Sequence, residues 1–387
     1  MNLNRIKTLI LGIAVIFVSI SSCARNSEVD EYIDPELTHT LQKIGEYEIP
    51  VDSMTTTNFI HYQHIQEGGK EYFSMLNNIK QEINFYDVKK RELAFKIPLI
   101  IEGPNGVGNL DGFNSGYYVH NLDSIFVLNR NRREFFLINR QSELINSFDA
   151  FRDKDVPSAV IAPFAPMIVH NDEAILLNIQ NGMKYFSRNK SYRTDYATKV
   201  GLTNRDTEYF LSYPDIFTTG SWGFDLHRIS WAFDLERERI LVGYPLDHNI
   251  YTLDFDGRLL EKAPARIESV KNVISISKRQ FKSKSGPLEY YLEQPRYGQV
   301  FFDSKRRIIL RDYTTGVSVE KQKQGIIQGE RVLVILDENL KKTAEVKETS
   351  LGMMVLFFNE DGLHKYIPSD DENKLKFELY DYVVINK

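Results

Sequence analysis

Short apolar runs broken by polar turns recur along nearly the whole chain, and their alternation predicts strands joined as hairpins. Val119-His120-Asn121-Leu122-Asp123-Ser124-Ile125-Phe126-Val127-Leu128-Asn129 returns fifty residues later as Val169-His170-Asn171-Asp172-Glu173-Ala174-Ile175-Leu176-Leu177-Asn178. A variant runs from Phe233-Asp234 through Glu236-Arg237-Glu238-Arg239 to Ile240-Leu241-Val242, and is echoed from Phe302-Asp303 to Ile308-Ile309-Leu310. A second hairpin type follows the first. Ile83 to Asp87, Phe135 to Asn139, Ile250 to Asp254 and Val332 to Asp337 each end an apolar strand on Asp or Asn before a polar turn.

Two hairpins in succession make a four-stranded antiparallel unit, and repetition at about 40–60 residues is the mark of a β-propeller. Units near 58–101, 117–150, 166–210, 229–265 and 297–347 give five blades. No outer hairpin can be assigned in the third between Gly182 and Tyr213. A sixth blade has one hairpin from Met353 to Ile367 and a third strand at Phe377 to Asp381, but no fourth. Lys43 to Pro50 reads as an outer strand without a blade, so pairing the two ends closes the ring and protects its edges. The predicted fold is therefore all-β, a six-bladed propeller closed by an N-terminal strand joining the last blade. Two packed β-sandwiches are the alternative.

Composition narrows the picture. The 387 residues exceed one ordinary domain and call for two domains or a repeat. Hydrophobic residues at 42% and charged residues at 26% exclude wholesale disorder. Aromatics at 12% against 13 alanines favour sheet over helix. A net charge of −5 supplies no basic excess for nucleic acid. The single cysteine excludes an intrachain disulfide framework, Cys-rich zinc sites and iron–sulfur clusters.

That cysteine stands at the end of a leader. Arg5 and Lys7 precede an apolar run, Leu9 to Ile20, followed by Ser21, Ser22 and Cys23. This is the layout of a secretory signal, too short as a helix to span a bilayer. Residues 1–22 are read as signal peptide, 23–40 as lipidated cysteine and acidic tether, and 41–387 as the propeller. Cleavage before Cys23 leaves 46 basic against 53 acidic residues, a net charge of −7.

Ile20-Ser21-Ser22-Cys23 resembles the bacterial lipobox, with Ile in place of the usual Leu. Together with the repeated hairpins and the turn Glu102-Gly103-Pro104-Asn105-Gly106-Val107-Gly108, the chain resembles the TolB-like six-bladed propeller lipoproteins of Bacteroidota. The resemblance implies lipidation at Cys23 and a place in the bacterial cell envelope, anchored at the outer membrane. Whether that is the periplasmic face or the cell surface stays open. It carries no chemistry with it.

Motifs of known chemistry are few. Gly103 to Gly108 lacks the Lys-Ser/Thr that a phosphate loop needs, and reads as an inter-blade turn. Asp254-Phe255-Asp256-Gly257 lacks the later ligands of a calcium loop and reads as a β-turn. Among eight histidines there is no His-Glu-x-x-His, and no Gly-x-Ser-x-Gly occurs. No cofactor, metal site or catalytic residue is assigned. The stretch Thr218 to Trp231 holds both tryptophans, with His227 and Arg228. Trp222, His227, Arg228 and Trp231 are candidate ligand-binding residues on one propeller face, since these types stack on sugars and anchor partners. The tryptophans could equally fill the space between blades. The expected function is a monomeric, membrane-anchored binding or scaffolding module for a glycan, peptide or protein. An envelope glycan hydrolase or lyase, with paired carboxylates in the channel, is the alternative.

Overall fold

The computed structural model describes residues 35–111, 115–149, 158–179, 195–223, 226–267, 273–348 and 354–385. The predicted signal peptide, Cys23, the tether through residue 34, and Met353 lie outside them. The chain divides after Pro35, and the unit Glu36–Lys387 holds all of the described strands.

That unit contains six antiparallel sheets, the blades of a propeller. The first strand, β1 (His39–Pro50), waits for a blade formed at the other end of the chain. Blade one is β2 (Tyr62–Glu67), β3 (Lys70–Asn77), β4 (Glu82–Asp87) and β5 (Glu92–Pro98). Blade two is β6 (Ser115–Asn121), β7 (Ser124–Asn129), β8 (Glu134–Ile138) and β9 (Leu144–Asp149). Blade three has β10 (Ser158–Val160), β11 (Ile168–His170), β12 (Glu173–Ile179), β13 (Ala197–Gly201) and β14 (Thr207–Phe210). Blade four is β15 (Ser230–Asp234), β16 (Arg239–Gly243), β17 (Asn249–Asp254) and β18 (Leu259–Pro264). Blade five is β19 (Arg296–Asp303), β20 (Ile308–Thr314), β21 (Arg331–Leu336) and β22 (Lys342–Glu348). Blade six is β23 (Leu356–Asn359), β24 (Gly362–Ile367) and β25 (Lys374–Val384), completed by β1. Short helices α1 (Lys278–Lys282) and α2 (Gly286–Glu293) lie between blades four and five, and α3 (Val319–Lys323) between β20 and β21.

The predicted closure is present: β1 pairs with β25 from His39↔Val384 to Pro50↔Lys374, with a bulge between Lys43 and Gly45. It begins at His39, two residues inside the segment read as tether. The outer hairpin that the sequence left unassigned in blade three is β13–β14. It is short, and Thr198 and Lys199 interrupt its apolar pattern.

Six hydrophobic clusters hold the ring, one between each pair of neighbouring blades. A middle strand is therefore covered on both faces, and every residue of β20 from Ile308 to Thr314 is buried. This explains why the runs are continuously apolar where a one-sided sheet would alternate. The recurring Asp and Asn have a shared task. Asp87 Oδ1 accepts from Lys90 N (2.8 Å), Asn139 Oδ1 from Gln141 N (3.0 Å), Asp254 Oδ1 from Asp256 N (3.0 Å) and Asp337 Oδ1 from Asn339 N (2.9 Å). Each side chain folds the tight turn that follows its strand. Asp254 to Gly257 is such a turn, with Gly257 at φ +81°. Gly103 to Gly108 is also structural, a turn between β5 and β6 closed by Gly106 N–H donating to Gly103 O (2.9 Å).

The closing blade contains a pH-sensitive joint. His364 on β24 is buried, stacked on Phe357 with 4.3 Å between ring centroids. Its Nε2 donates to Asn359 Oδ1 (2.7 Å), and its Nδ1 accepts from Tyr47 Oη of β1 (2.9 Å). This pattern needs the neutral ring. Burial lowers its pKa from 6.5 to about 3, with nearby His64 adding to the shift. The unfolded chain therefore binds a proton that the folded one refuses, and stability falls as pH drops from 6.5 toward 3. By pH 4.5 the expected loss from this residue is roughly 2–3 kcal/mol. Urea unfolding at pH 7 and pH 4.5 checks this. A His364→Gln variant, weaker at pH 7, loses less between the two; an equal loss in both proteins refutes the assignment.

Candidate ligand site at the mouth of the central channel

The inner strands β2, β6, β11, β15, β19 and β23 line one cavity of about 360 Å³, through His64, Tyr118, Ile168, Trp231, Phe302 and Phe357 among others. It is the central channel, and its wall is largely apolar. A second cavity of about 250 Å³ lies toward the starts of β15 and β19, bordered by blades four and five, Phe164 and Met354. Ser230 and Gly298 face this upper cavity, whereas Trp231 and Val300, just further along β15 and β19, face the lower one.

A turn from blade three separates the two. Pro163 and Pro166 have no N–H to give to a ladder, so the inner edge of that blade breaks into β10 and β11, both paired to β12. Between them Ala162 and Ala165 exchange backbone hydrogen bonds of 3.2 and 2.9 Å. The turn puts Phe164 in the upper cavity and Pro163 and Pro166 in the lower. Its carbonyl at Phe164 accepts from Trp231 N (3.1 Å) and Ser230 Oγ (2.9 Å). The Gln299 amide lies between the same turn and blade six, with one terminal atom 3.1 Å from Met354 O and the other 3.2 Å from Phe164 N, so the nitrogen belongs on the Met354 side.

Three arginines converge on the upper cavity. Arg228, in the connection entering β15, is exposed and lies over the Phe164 ring at 5.0 Å. Arg296 heads β19, lies 4.1 Å from the Tyr291 ring centroid, and donates to Gln294 O (3.2 Å). Arg331 heads β21, with Nε 3.7 Å from Asp312 Oδ2. Asp312, on β20, is buried; burial raises its carboxyl above the ordinary value, and Arg331 pulls the other way. Gly298 makes room for this carboxylate, since a Cβ there would come within 2.3 Å of Asp312 Oδ1. The lining thus carries three cations and one carboxylate in a chain of net charge −5.

The residues singled out by the sequence separate here. Trp222 is buried between blades three and four, where its Nε1 donates to Phe217 O (3.1 Å). Trp231 is fully buried in the same cluster, its Nε1 donating to Pro166 O (2.9 Å), and it borders the lower cavity. His227 is half-buried, and its backbone carbonyl accepts from Tyr213 Oη. Arg228 lines the upper cavity. Phe224 and Asp225 of that stretch lie outside the described residues. Sequence reading missed Arg296, Asp312 and Arg331. The available signal was Gly298 within a strand, which marks a close approach of another group.

Among the described residues, no group of three His, Cys, Asp or Glu side chains is placed to hold a metal ion. The upper cavity brings one carboxylate, Asp312, into its lining.

Comparison with known proteins places the fold among relatives. A protein of Bacteroides vulgatus from the same domain family matches with a TM-score of 0.77 at 18% identity, over 91% of this chain and 100% of its own. An exported-class protein of Bacteroides fragilis matches with a TM-score of 0.53 at 11% identity, over 89% of this chain and 96% of its own. No curated protein matches. The family model for the domain of unknown function DUF4221 matches residues 40–347, and the chain belongs to that family.

Proposed function

We propose that this protein is a TolB-like propeller lipoprotein of the bacterial cell envelope that works as a binding module. It is anchored through Cys23 and takes a glycan, peptide or protein partner at the mouth of its channel. The observation that carries the reading is the upper cavity, whose lining holds Arg228, Arg296, Arg331 and Asp312 beside aromatic rings. Concave sites with a few convergent polar groups are where propellers and other scaffolds take ligands. The leader ending in Cys23 supports export and anchoring, and so does the exported-class name of the Bacteroides fragilis relative. The hydrolase or lyase alternative calls for two carboxylates about 5–9 Å apart. Among the described residues one carboxylate, Asp312, lines this cavity.

Two measurements test this reading. Wild-type protein is expected in the membrane fraction with incorporated fatty acid, and Cys23→Ser in the soluble fraction without it; an acylated Cys23→Ser protein refutes the anchor. A photo-crosslinking phenylalanine analogue in place of Tyr291, which leaves Arg228 intact, should trap an envelope glycan or protein in living cells. Absence of any adduct, with the protein present at normal levels, refutes binding at the mouth.

A further inference from the structure

We infer that the upper cavity is a site for an acidic sugar, a hexuronate unit of a glycan. This deepens the binding reading above and rests on it. Three features of the cavity converge on that class. The exposed guanidinium of Arg228 matches a carboxylate, which arginine engages through paired N–H donors, while Arg296 and Arg331 add positive charge to the lining. Phe164 and Tyr291, both partly exposed, add aromatic area to the lining beside the guanidinium groups that lie over them, and a pyranose ring packs against such edges. Asp312 borders the cavity with a carboxylate whose charge is shared with Arg331, 3.7 Å away. A bare inorganic anion has no use for aromatic walls, and a carboxylate acceptor beside it would repel it. A hexuronate has hydroxyls to donate to Asp312 and a carboxylate for the arginines. Cavity and ligand are complementary in sign as well as shape, while the chain as a whole is negative.

The asymmetry of the cavity orients the ligand. Arg228 is exposed, whereas Asp312 is buried with Arg331 beside it, 3.7 Å away. The hydroxyl edge of the sugar therefore enters first, toward Asp312 and Ser230, and the carboxylate stays at the rim with Arg228. The turn bearing Phe164 closes the floor, so one sugar unit is taken end-on and the chain does not thread the channel.

The experiment is calorimetric titration of soluble Cys23→Ser protein with four probes: tri-galacturonate, the neutral galactose trisaccharide, trialanine and inorganic phosphate. Tri-galacturonate alone should bind, and it should weaken about tenfold in Arg228→Gln and again when salt is raised from 50 to 300 mM. Equal binding of the neutral trisaccharide, unaffected by Arg228→Gln, overturns the acidic class and leaves the binding reading standing. Binding of trialanine or phosphate in place of the sugar overturns the sugar class in the same way. Binding of none overturns the inference, while the binding reading is decided separately by crosslinking at position 291. Because Arg228 is exposed, its variant should melt as the parent does; Asp312→Asn, which keeps an acceptor oxygen, provides the second variant and should weaken tri-galacturonate too.

Discussion

Deleting residues 39–50 is expected to abolish cooperative folding. The deletion removes β1, leaving β25 with an unpaired backbone edge along its length from Lys374 to Val384. It also removes Tyr47 and Ile49, buried between the sixth and first blades against Phe73, Leu375 and Phe377. Burying two such side chains contributes about 3–6 kcal/mol, against a typical net stability of about 5–15 kcal/mol. The loss of Tyr47 Oη further leaves His364 Nδ1 without its donor (2.9 Å). Thermal unfolding followed by circular dichroism should show a broad, weak transition and aggregation, because an open sheet edge pairs with other chains. A synthetic peptide spanning 36–51, added in trans, should restore a sharp transition. A deletion variant that melts as sharply as the parent would show that the ring does not need its clasp.

Arg311→Met should cost about 3–5 kcal/mol, the largest expected effect of a single substitution in this fold. Arg311 is fully buried on β20 and lies 4.2 Å from the Tyr297 ring centroid. It donates to Tyr244 O (2.7 Å), Asp247 O (2.8 Å) and Asn249 O (3.0 Å). One side chain of blade five thus satisfies three carbonyls of the β16–β17 connection in blade four. Burial lowers its pKa to about 10, so it stays cationic at neutral pH. Replacing a whole buried ion pair by apolar groups is often harmless, but backbone acceptors cannot be deleted with their donor. Methionine fills a similar length but takes that donor from Asp247 O and Asn249 O, and leaves Tyr244 O with the Asp247 N–H alone (3.2 Å). Arg311→Lys should fall between, keeping the charge but losing the fork that reaches three acceptors at once. The midpoint of urea unfolding reads the difference, and a change within about 1 kcal/mol for methionine would sink the argument.

The blades were legible because each is a local event. The Asp or Asn that ends a strand accepts from backbone N–H groups two or three residues on, so the hairpin is written within a dozen positions. Asp87, Asn139, Asp254 and Asp337 all work this way. Blade three was hard to read for an equally physical reason. Its inner edge is broken by Pro163 and Pro166, and its outer hairpin carries Lys199, whose ammonium reaches Asp256 of blade four (3.0 Å). The helices α1, α2 and α3 went unforeseen, being too short to show a periodic apolar face.

The number of blades, their hairpin order and the pairing of the two chain ends could be read from the residues alone, because alternation, turn chemistry and an orphan strand are local or self-complementary. Where a ligand could sit emerged with the folded ring. Arg228, Arg296, Asp312 and Arg331 come from separate elements of two blades, and no spacing along the chain marks them as neighbours. Trp222 and Trp231, conspicuous in the sequence for their rarity, pack inside, because a large ring between two sheets buries more surface than one on a rim. Strand pairing is the physical reason: it sets Arg296 and Arg331 on either side of Thr314, two residues from Asp312, and packing of blade four against blade five adds Arg228, so side chains that the chain keeps far apart line one cavity.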